Sequence, residues 1–415
     1  MKSYAFAGAS KRALEMFALP MRERYSDTTR ICGIFDVNPH RAAYLSQACD
    51  GVPVFDTFTA MLQATRPDTV IVTTVDRFHH RYTIEALEAG CDVITEKPMT
   101  IDDEKCRAIL AAEQRTGHTV TVTFNYRFMP YVTRAKELLR AGAIGTVLNV
   151  DFEWYLDRRH GADYFRRWHR RKDNSGGLLV HKATHHFDLI NWWLDDEPER
   201  VFALGQRRFY GPTRAERGER CSTCAFARTC EFYVDYRADP FLDNFYFAAE
   251  TYDGYFRDRC VFAEEIDIED TMNVLVRFRG GAQLSYSLVA YSPYEGWRTT
   301  LTGTAGRMEL QETESGPLAT DADDAILLYD SKGAISQYTV PKSEGDHGGG
   351  DDRLRARLFG ADTSPDPLDH MAGTRAGAMS ILIGVAANKS IAGGNAVAVD
   401  DLLLDRSPVA AVTAQ

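Results

Sequence analysis

Three groups of residues carry side chains whose type and spacing could do chemistry. The first is Glu96-Lys97-Pro98, which ends the apolar run Cys91 to Thr95. That run, bounded by Gly90 and Pro98, reads as a buried parallel strand, and Pro98 stops it because it cannot donate to a ladder. Lys97 then sits at a strand's carboxyl end, where open α/β sheets bind ligands, and a lysine there can be a desolvated proton carrier. A solvated loop lysine fits the local sequence as well. The second group is His181 and His185, spaced i, i+4 and so expected on one helix face, with Lys182 and His186 on the neighbouring face. Histidine's unperturbed pKa suits proton transfer near neutral pH, and a lysine beside it can share the proton or stabilise a developing anion. His185 is expected as general acid or base, Lys97 as its partner and anion stabiliser, and His181 as an orienting or relay group. The same spacing could hold a metal if a third ligand, such as His347, joined it.

The third group is Cys221, Cys224, Cys230 and Cys260, half of the eight cysteines within 40 residues. In a chain without a secretory signature this spacing points to a metal knot rather than disulfides. Structural zinc is expected in preference to an iron–sulfur cluster, stapling an insertion at about 205–262 with no direct catalytic part, and four free or redox-active thiols are the alternative.

These groups need a scaffold. Residues up to about 123 alternate strand and helix patterns, which predicts a doubly wound parallel sheet. Strands are expected at 4–7, 30–36, 69–73, 91–95 and 118–123. Helices are expected at about 12–25, 40–49, 81–89 and 101–116. Beyond Asn125 the pattern changes. Helices are expected at 132–141, 178–194 and 372–391, and strands at 146–155, 272–278, 282–290 and 298–301. The stretches 311–324 and 343–352 read as surface loops. The division drawn is 1–124 for an NAD-binding Rossmann domain and 125–415 for a substrate and oligomerisation domain.

Gly8-Ala9-Ser10-Lys11-Arg12-Ala13 occupies the place of a dinucleotide fingerprint but keeps only its first glycine. Gly8 can make the tight turn, and Ser10 leaves room for a pyrophosphate held by helix N-terminal amides. Asp36 ends the second strand, where a carboxylate accepts from a ribose and repels a 2′-phosphate. NAD is therefore expected over NADP, a preference that the nearby Arg41 weakens. Asp-x-Asn-Pro is also good turn chemistry.

In this order the motifs resemble the Gfo/Idh/MocA family of sugar and cyclitol oxidoreductases. The further matches are Asp36-x-Asn38-x-x-Arg41, Thr73-Thr74 with His79, Asn125-Tyr126-Arg127-Phe128, Ile144-Gly145, Gly176-Gly177 followed by His185-x-x-Asp188, and His347-Gly348-Gly349-Gly350-Asp351. The resemblance implies a Rossmann domain followed by an α/β domain with an open, mostly antiparallel sheet that commonly packs in homodimers or homotetramers. It implies that Lys97 contacts both cofactor and substrate hydroxyl, and that His185 is the catalytic histidine. Thr73, Thr74, His79, Glu96 and Asn125 fall on the cofactor side. Tyr126, Arg127, Lys182 and His347 fall on the substrate side. By residue type Trp154, Tyr155, Arg158, His160 and Trp168 suit stacking on and hydrogen-bonding a sugar, and a core cluster with a basic surface face fits them equally. The family usually has aspartate where this chain has His181. That departure keeps a second reaction open: redox-neutral cleavage of a glycoside through transient oxidation.

The 415 residues are 44% hydrophobic and 26% charged, with net charge -11, an ordinary globular composition that argues against nonspecific nucleic-acid binding. No apolar signal core or membrane-length run stands out, so the sequence reads as a cytoplasmic protein acting on a small molecule.

Overall fold

The computed structural model describes residues 1–404 except Leu318 and Asp346. Both exceptions fall within stretches read as loops, and residues 405–415, the end of the second domain as drawn, lie outside the described residues.

The first sheet is parallel, with β1 (Lys2–Ala7), β2 (Thr29–Phe35), β3 (Thr69–Val72), β4 (Asp92–Thr95) and β5 (Val120–Val122) in the order β2-β1-β3-β4-β5. Val70, Ile71, Val72, Val93 and Ile94 are buried on both faces, as continuous apolar runs in a covered parallel sheet must be. The helices between them start and stop by local chemistry. Asn38 caps Pro39–Ala48 by accepting from Arg41 N, and Asp102 caps Asp103–Thr116 by accepting from Lys105 N. Gly117 closes the latter with a left-handed turn at φ 73°. A helix at Phe58–Thr65, capped by Thr57, has no counterpart in the sequence reading.

The second sheet has nine strands. They are β6 (Val147–Asp157), β7 (Pro198–Gln206), β8 (Thr271–Phe278), β9 (Gln283–Ser292), β10 (Gly296–Gly303), β11 (Gly306–Thr313), β12 (Asp324–Asp330), β13 (Ile335–Val340) and β14 (Val397–Ala398). Their order is β13-β12-β11-β10-β6-β9-β8-β7-β14, antiparallel except where β6 pairs with β9. In β6, β8 and β9 burial alternates residue by residue, the signature of a sheet packed on one face. The predicted class, a parallel doubly wound sheet followed by an α/β domain with an open, mostly antiparallel sheet, is the observed one. The strands β7 and β11 to β14 were not anticipated, and the stretches read as loops at 311–324 and 343–352 include the end of β11, the start of β12 and the start of a helix, Gly350–Leu358.

The covered face of the second sheet carries Thr184–Leu194 and Thr374–Gly393. By length and composition Thr374–Gly393 could cross a membrane, contrary to the reading that no such run exists, but most of it is buried against β7 and the preceding helices. Gly384 permits that contact, since a Cβ there would stand 2.3 Å from Leu179 O.

Candidate active site

The carboxyl ends of β1, β3, β4 and β5 deliver Gly8, Thr73-Thr74, Glu96-Lys97 and Asn125 to one edge of the first sheet. That edge forms one wall of a cleft of about 700 Å³, and the second domain forms the other. Gly8 has φ +103°, and a Cβ on it would lie 2.8 Å from Thr74 N, so only glycine lets β1 turn beside β3. Thr73 Oγ1 fixes the turn by donating to Gly8 O at 2.7 Å. Ser10 caps the following helix by accepting from Ala13 N, and Ser10, Lys11 and Arg12 line the cleft at its start.

The polar groups of this wall are held by one another. Asp36 accepts from Ala9 N at 2.6 Å and Asn38 N at 2.7 Å. Burial pushes its carboxyl up, opposed by Arg41 at 3.8 Å and by these amides. Arg41 is also paired with Asp253. Arg12 donates to Glu96 at 3.0 Å and to both oxygens of Asp351 at 2.8 and 3.1 Å. Asn125 Nδ2 donates to Asp351 at 2.5 Å. His79 places its ring nitrogens 2.8 Å from Pro98 O and 3.1 Å from Thr74 O, clamping the β3 and β4 ends together. His347 lies 3.3 Å from Asp351 and 6.3 Å, ring to ring, from His185. Its turn rests on Asn125, where a Cβ on Gly350 would meet Asn125 O at 2.5 Å.

Lys97 is the centre of the second set. Its Nζ donates to His181 O at 3.2 Å, and burial, with Lys182 adding to it, holds its ammonium down to about 8 despite Asp76. The i, i+4 reading needs correction, because the helix breaks between Leu178–His181 and Thr184–Leu194. His181 therefore turns to Asp76, with Nδ1 2.5 Å from Oδ2, while His185 stacks on Tyr126 at 4.4 Å. Burial pushes the Asp76 carboxyl up, with Lys97 opposing, and pushes both imidazoles well down. Asp76 went unnoticed in the sequence, although it follows the β3 end by four residues.

Lys182 lines the cleft, with its ammonium 4.6 Å from the Trp154 ring centroid. Trp154 is fully buried against His186 and stands behind Lys182 rather than on the cleft wall. Arg127 also turns inward, to Asp188 at 2.8 Å and to Asp369 O at 2.9 Å, and Tyr126 stands behind His185. Of the other aromatic and polar candidates, His160 and Trp168 reach the cleft, joined by Tyr164, Arg167 and His169. Arg158 pairs with Glu231 and Tyr155 bonds Glu153.

The insertion lies between β7 and β8. Phe245, Tyr246, Asp253, Tyr255 and Arg257 from it line the cleft, so it does more than staple itself. It is anchored on the first domain by Asn38 Nδ2 donating to Ala249 O at 3.0 Å, by His40 against Asn244, and by Tyr44 edge-on to Phe245. The four cysteines border one small cavity with Phe232, Val261 and Phe262. They are free thiols, and among the described residues no group of three or more His, Cys, Asp or Glu side chains is gathered to hold a metal ion. Cys221 instead takes an N–H from Arg166 at 3.2 Å and Cys230 one from Arg214 at 3.1 Å. The expected zinc or iron–sulfur knot is therefore not supported. A histidine metal site is not supported either, since no such group is gathered around His181 and His185 among the described residues.

Residues 2–124 match the oxidoreductase-family NAD-binding Rossmann fold, and residues 136–399 match the oxidoreductase-family C-terminal alpha/beta domain. The chain belongs to the Gfo/Idh/MocA oxidoreductase family. A protein named for oxidoreductase activity, YteT of Bacillus subtilis (strain 168), is 41% identical over 94% of this chain and 96% of its own length. D-glucoside 3-dehydrogenase of Escherichia coli (strain K12) is 28% identical over 40% of this chain and 46% of its own length. The crystal structure of aldose-aldose oxidoreductase from Caulobacter crescentus complexed with glycerol superposes with a TM-score of 0.63 at 18% identity. It covers 96% of this chain and 99% of that one, which is a likeness of fold.

Proposed function

We propose that this protein interconverts a hydroxyl and a carbonyl on a sugar, sugar derivative or cyclitol, with NAD as the redox partner. The observation that carries the reading is the meeting of Lys97, His185 and the Asp76–His181 pair in a cleft whose other end is walled by Asp36 and the Gly8 turn. The residues fit a dinucleotide. A glycine turn opens a helix onto the cleft, and a carboxylate ends the second strand while Arg41, the cation that could welcome a 2′-phosphate, is held by Asp253 and Asp36. Bound NAD would accept the hydride from the carbinol carbon.

The proton is left to the chain. His185 was expected as the base, but burial and the nearby Lys97 and Lys182 make its imidazole a weak one. Lys97, held near 8, is the better acceptor, and its neutral amine takes the hydroxyl proton as the carbonyl forms. His185, kept neutral and backed by Tyr126, orients the hydroxyl by a hydrogen bond. His181 holds Lys97 through its carbonyl, and Asp76 holds His181. The family resemblance and the D-glucoside 3-dehydrogenase relative support the sugar class, and the homodimer or homotetramer drawn from the resemblance stays part of this reading.

The test incubates the protein with NAD and a panel of free sugars, cyclitols and glycosides, reading NADH absorbance and substrate loss together. NADH forming in step with substrate loss is the expected result. A glycoside cleaved without net NADH, or no turnover across the panel, would overturn it.

A further inference from the structure

The second domain and the insertion bring three arginines around a single carboxylate. Asp163 lies 3.8 Å from Arg166 Nε and 3.8 Å from Arg167 Nη1, and the Tyr236 hydroxyl donates to it at 2.7 Å. Arg257 is only 8% exposed, and its Nε and Nη1 have no hydrogen-bond partner. Its Cζ lies over the Tyr246 ring, 4.2 Å from the centroid, a contact that supplies no hydrogen-bond acceptor in the guanidinium plane. Arg167 Nε is likewise buried without a partner, and so is His169 Nδ1. Arg167, His169 and Arg257 all line the cleft.

One carboxylate does not balance three guanidinium groups, and a buried cation with unmade hydrogen bonds is costly unless something accepts them. The acids elsewhere on the cleft are engaged: Asp253 by Arg41, Glu96 by Arg12, and Asp76 by His181. Arg167 precedes Trp168, whose ring stands edge-on to His181 at 5.6 Å, so the cationic wall adjoins the proposed reaction centre. We infer that Arg257 and Arg167 form an anion subsite that recognises an acidic group on the substrate, making this an enzyme of acidic sugars such as uronates or sugar phosphates. A planar guanidinium fork suits either a carboxylate or a phosphate. The inference rests on the proposed function for the word substrate. The cofactor's own pyrophosphate is the rival source of negative charge.

The test is binding to the full chain, read by calorimetry in the presence of saturating NADH, which cannot accept a hydride from a hydroxyl, so that it does not depend on turnover. The probes are a set of hexoses, their uronates and their 6-phosphates. At least one acidic form is expected to bind about 10- to 100-fold more tightly than its neutral parent, and Arg257→Gln and Arg167→Gln are each expected to remove most of that advantage. Arg257→Lys, which keeps the charge but not the fork, should restore part of it. NAD affinity, measured separately on the same proteins, should change little. The inference is overturned if no acidic form outbinds its parent, or if the advantage survives Arg257→Gln. It is also overturned if Arg257→Gln weakens NAD instead, which would assign the anion to the cofactor. Turnover of neutral sugars in the NADH assay, with no acidic preference, would reject this inference while leaving the dehydrogenase reading standing.

Discussion

The two walls of the cleft differ in how their polar groups are satisfied. On the first-domain wall Asp36, Arg12, Glu96, Arg41 and His79 hold one another or nearby backbone. On the opposite wall Nδ1 of His185, Nδ1 of His169, Nε of Arg167, and Nε and Nη1 of Arg257 have no partner. Asn125, at the seam, is mixed, with its Nδ2 bonded and its Oδ1 free. A wall that presents a fixed, self-satisfied surface suits a ligand that is the same in every turnover. A wall that keeps donors and acceptors unmade discriminates by what a ligand supplies, because a ligand lacking the matching group leaves them buried and unpaired. The difference argues that selectivity lies in the second domain and its insertion.

The largest effect should come where the walls meet. Replacing Lys97 with Met removes the proton acceptor while keeping the side chain's bulk. The turnover number is expected to fall about a thousandfold, with NAD binding retained. Steady-state kinetics and NAD titration on the same preparation check this, and unchanged turnover would remove Lys97 from the mechanism. The intact enzyme should oxidise faster as pH rises through about 8, where Lys97 loses its proton. A profile flat from pH 7 to 9 would argue against an amine base.

Two arginines of the second domain sharpen the contrast. Arg127 is tied to Asp188 and Arg257 is not tied. Arg127→Met leaves a buried carboxylate alone and should cost roughly 3–5 kcal/mol of stability. Asp188 is already pushed up by burial, with Arg127 opposing, and loses that opposition in the variant. A carboxyl whose folded pKa is raised loses stability as pH climbs through it, so the melting deficit should be larger at pH 8 than at pH 5. Scanning calorimetry at both values decides. An equal deficit at both, or a substrate defect without a stability loss, would return Arg127 to the substrate list.

Asp76 gives a smaller kinetic effect with a distinct signature. Asp76→Asn is expected to lower turnover about 10- to 100-fold by loosening His181 and with it the amine of Lys97. Because the carboxylate favours protonated Lys97, its loss should also move the pH limb below 8. A rate loss with an unmoved limb would reduce Asp76 to a packing role.

The contrast between the walls also marks what the sequence made legible. Strand ends announce themselves locally. The apolar run before Lys97, the turn at Gly8 and the acid at Asp36 each combine a periodicity with a punctuating residue, and the first sheet follows from them. The second wall is assembled from residues 160–169, 181–185 and 245–257, and meets Asp76 of the first, a grouping that no local pattern joins. His181 was noticed for its spacing to His185, yet the helix breaks between them and the partner that matters is 105 positions away. β11 to β13 mix charged and apolar residues and pair with one another at a sheet edge, so their alternation was too weak to read. The cysteine spacing resembled a metal knot because spacing cannot show that two of the thiols, Cys221 and Cys230, take N–H groups from Arg166 and Arg214.

The smallest predicted effect probes an ion pair between the insertion and the cofactor wall. Arg41 is shared by Asp36 and Asp253, both partly buried, and so is not free to meet a 2′-phosphate. Asp253→Ala releases it on one side while Asp36 still repels the phosphate. NADP use, as kcat/KM, should therefore rise only about two- to fivefold, with NAD nearly unchanged. Asp36→Ala added to it should raise NADP use further, because the repulsion is then gone. If the single variant does nothing and the double variant does, Asp36 alone sets the preference and the first wall is closed to influence from the insertion. If the single variant suffices, the insertion tunes both ligands: the dinucleotide through Asp253 and the substrate through Arg257, four residues further along the same loop.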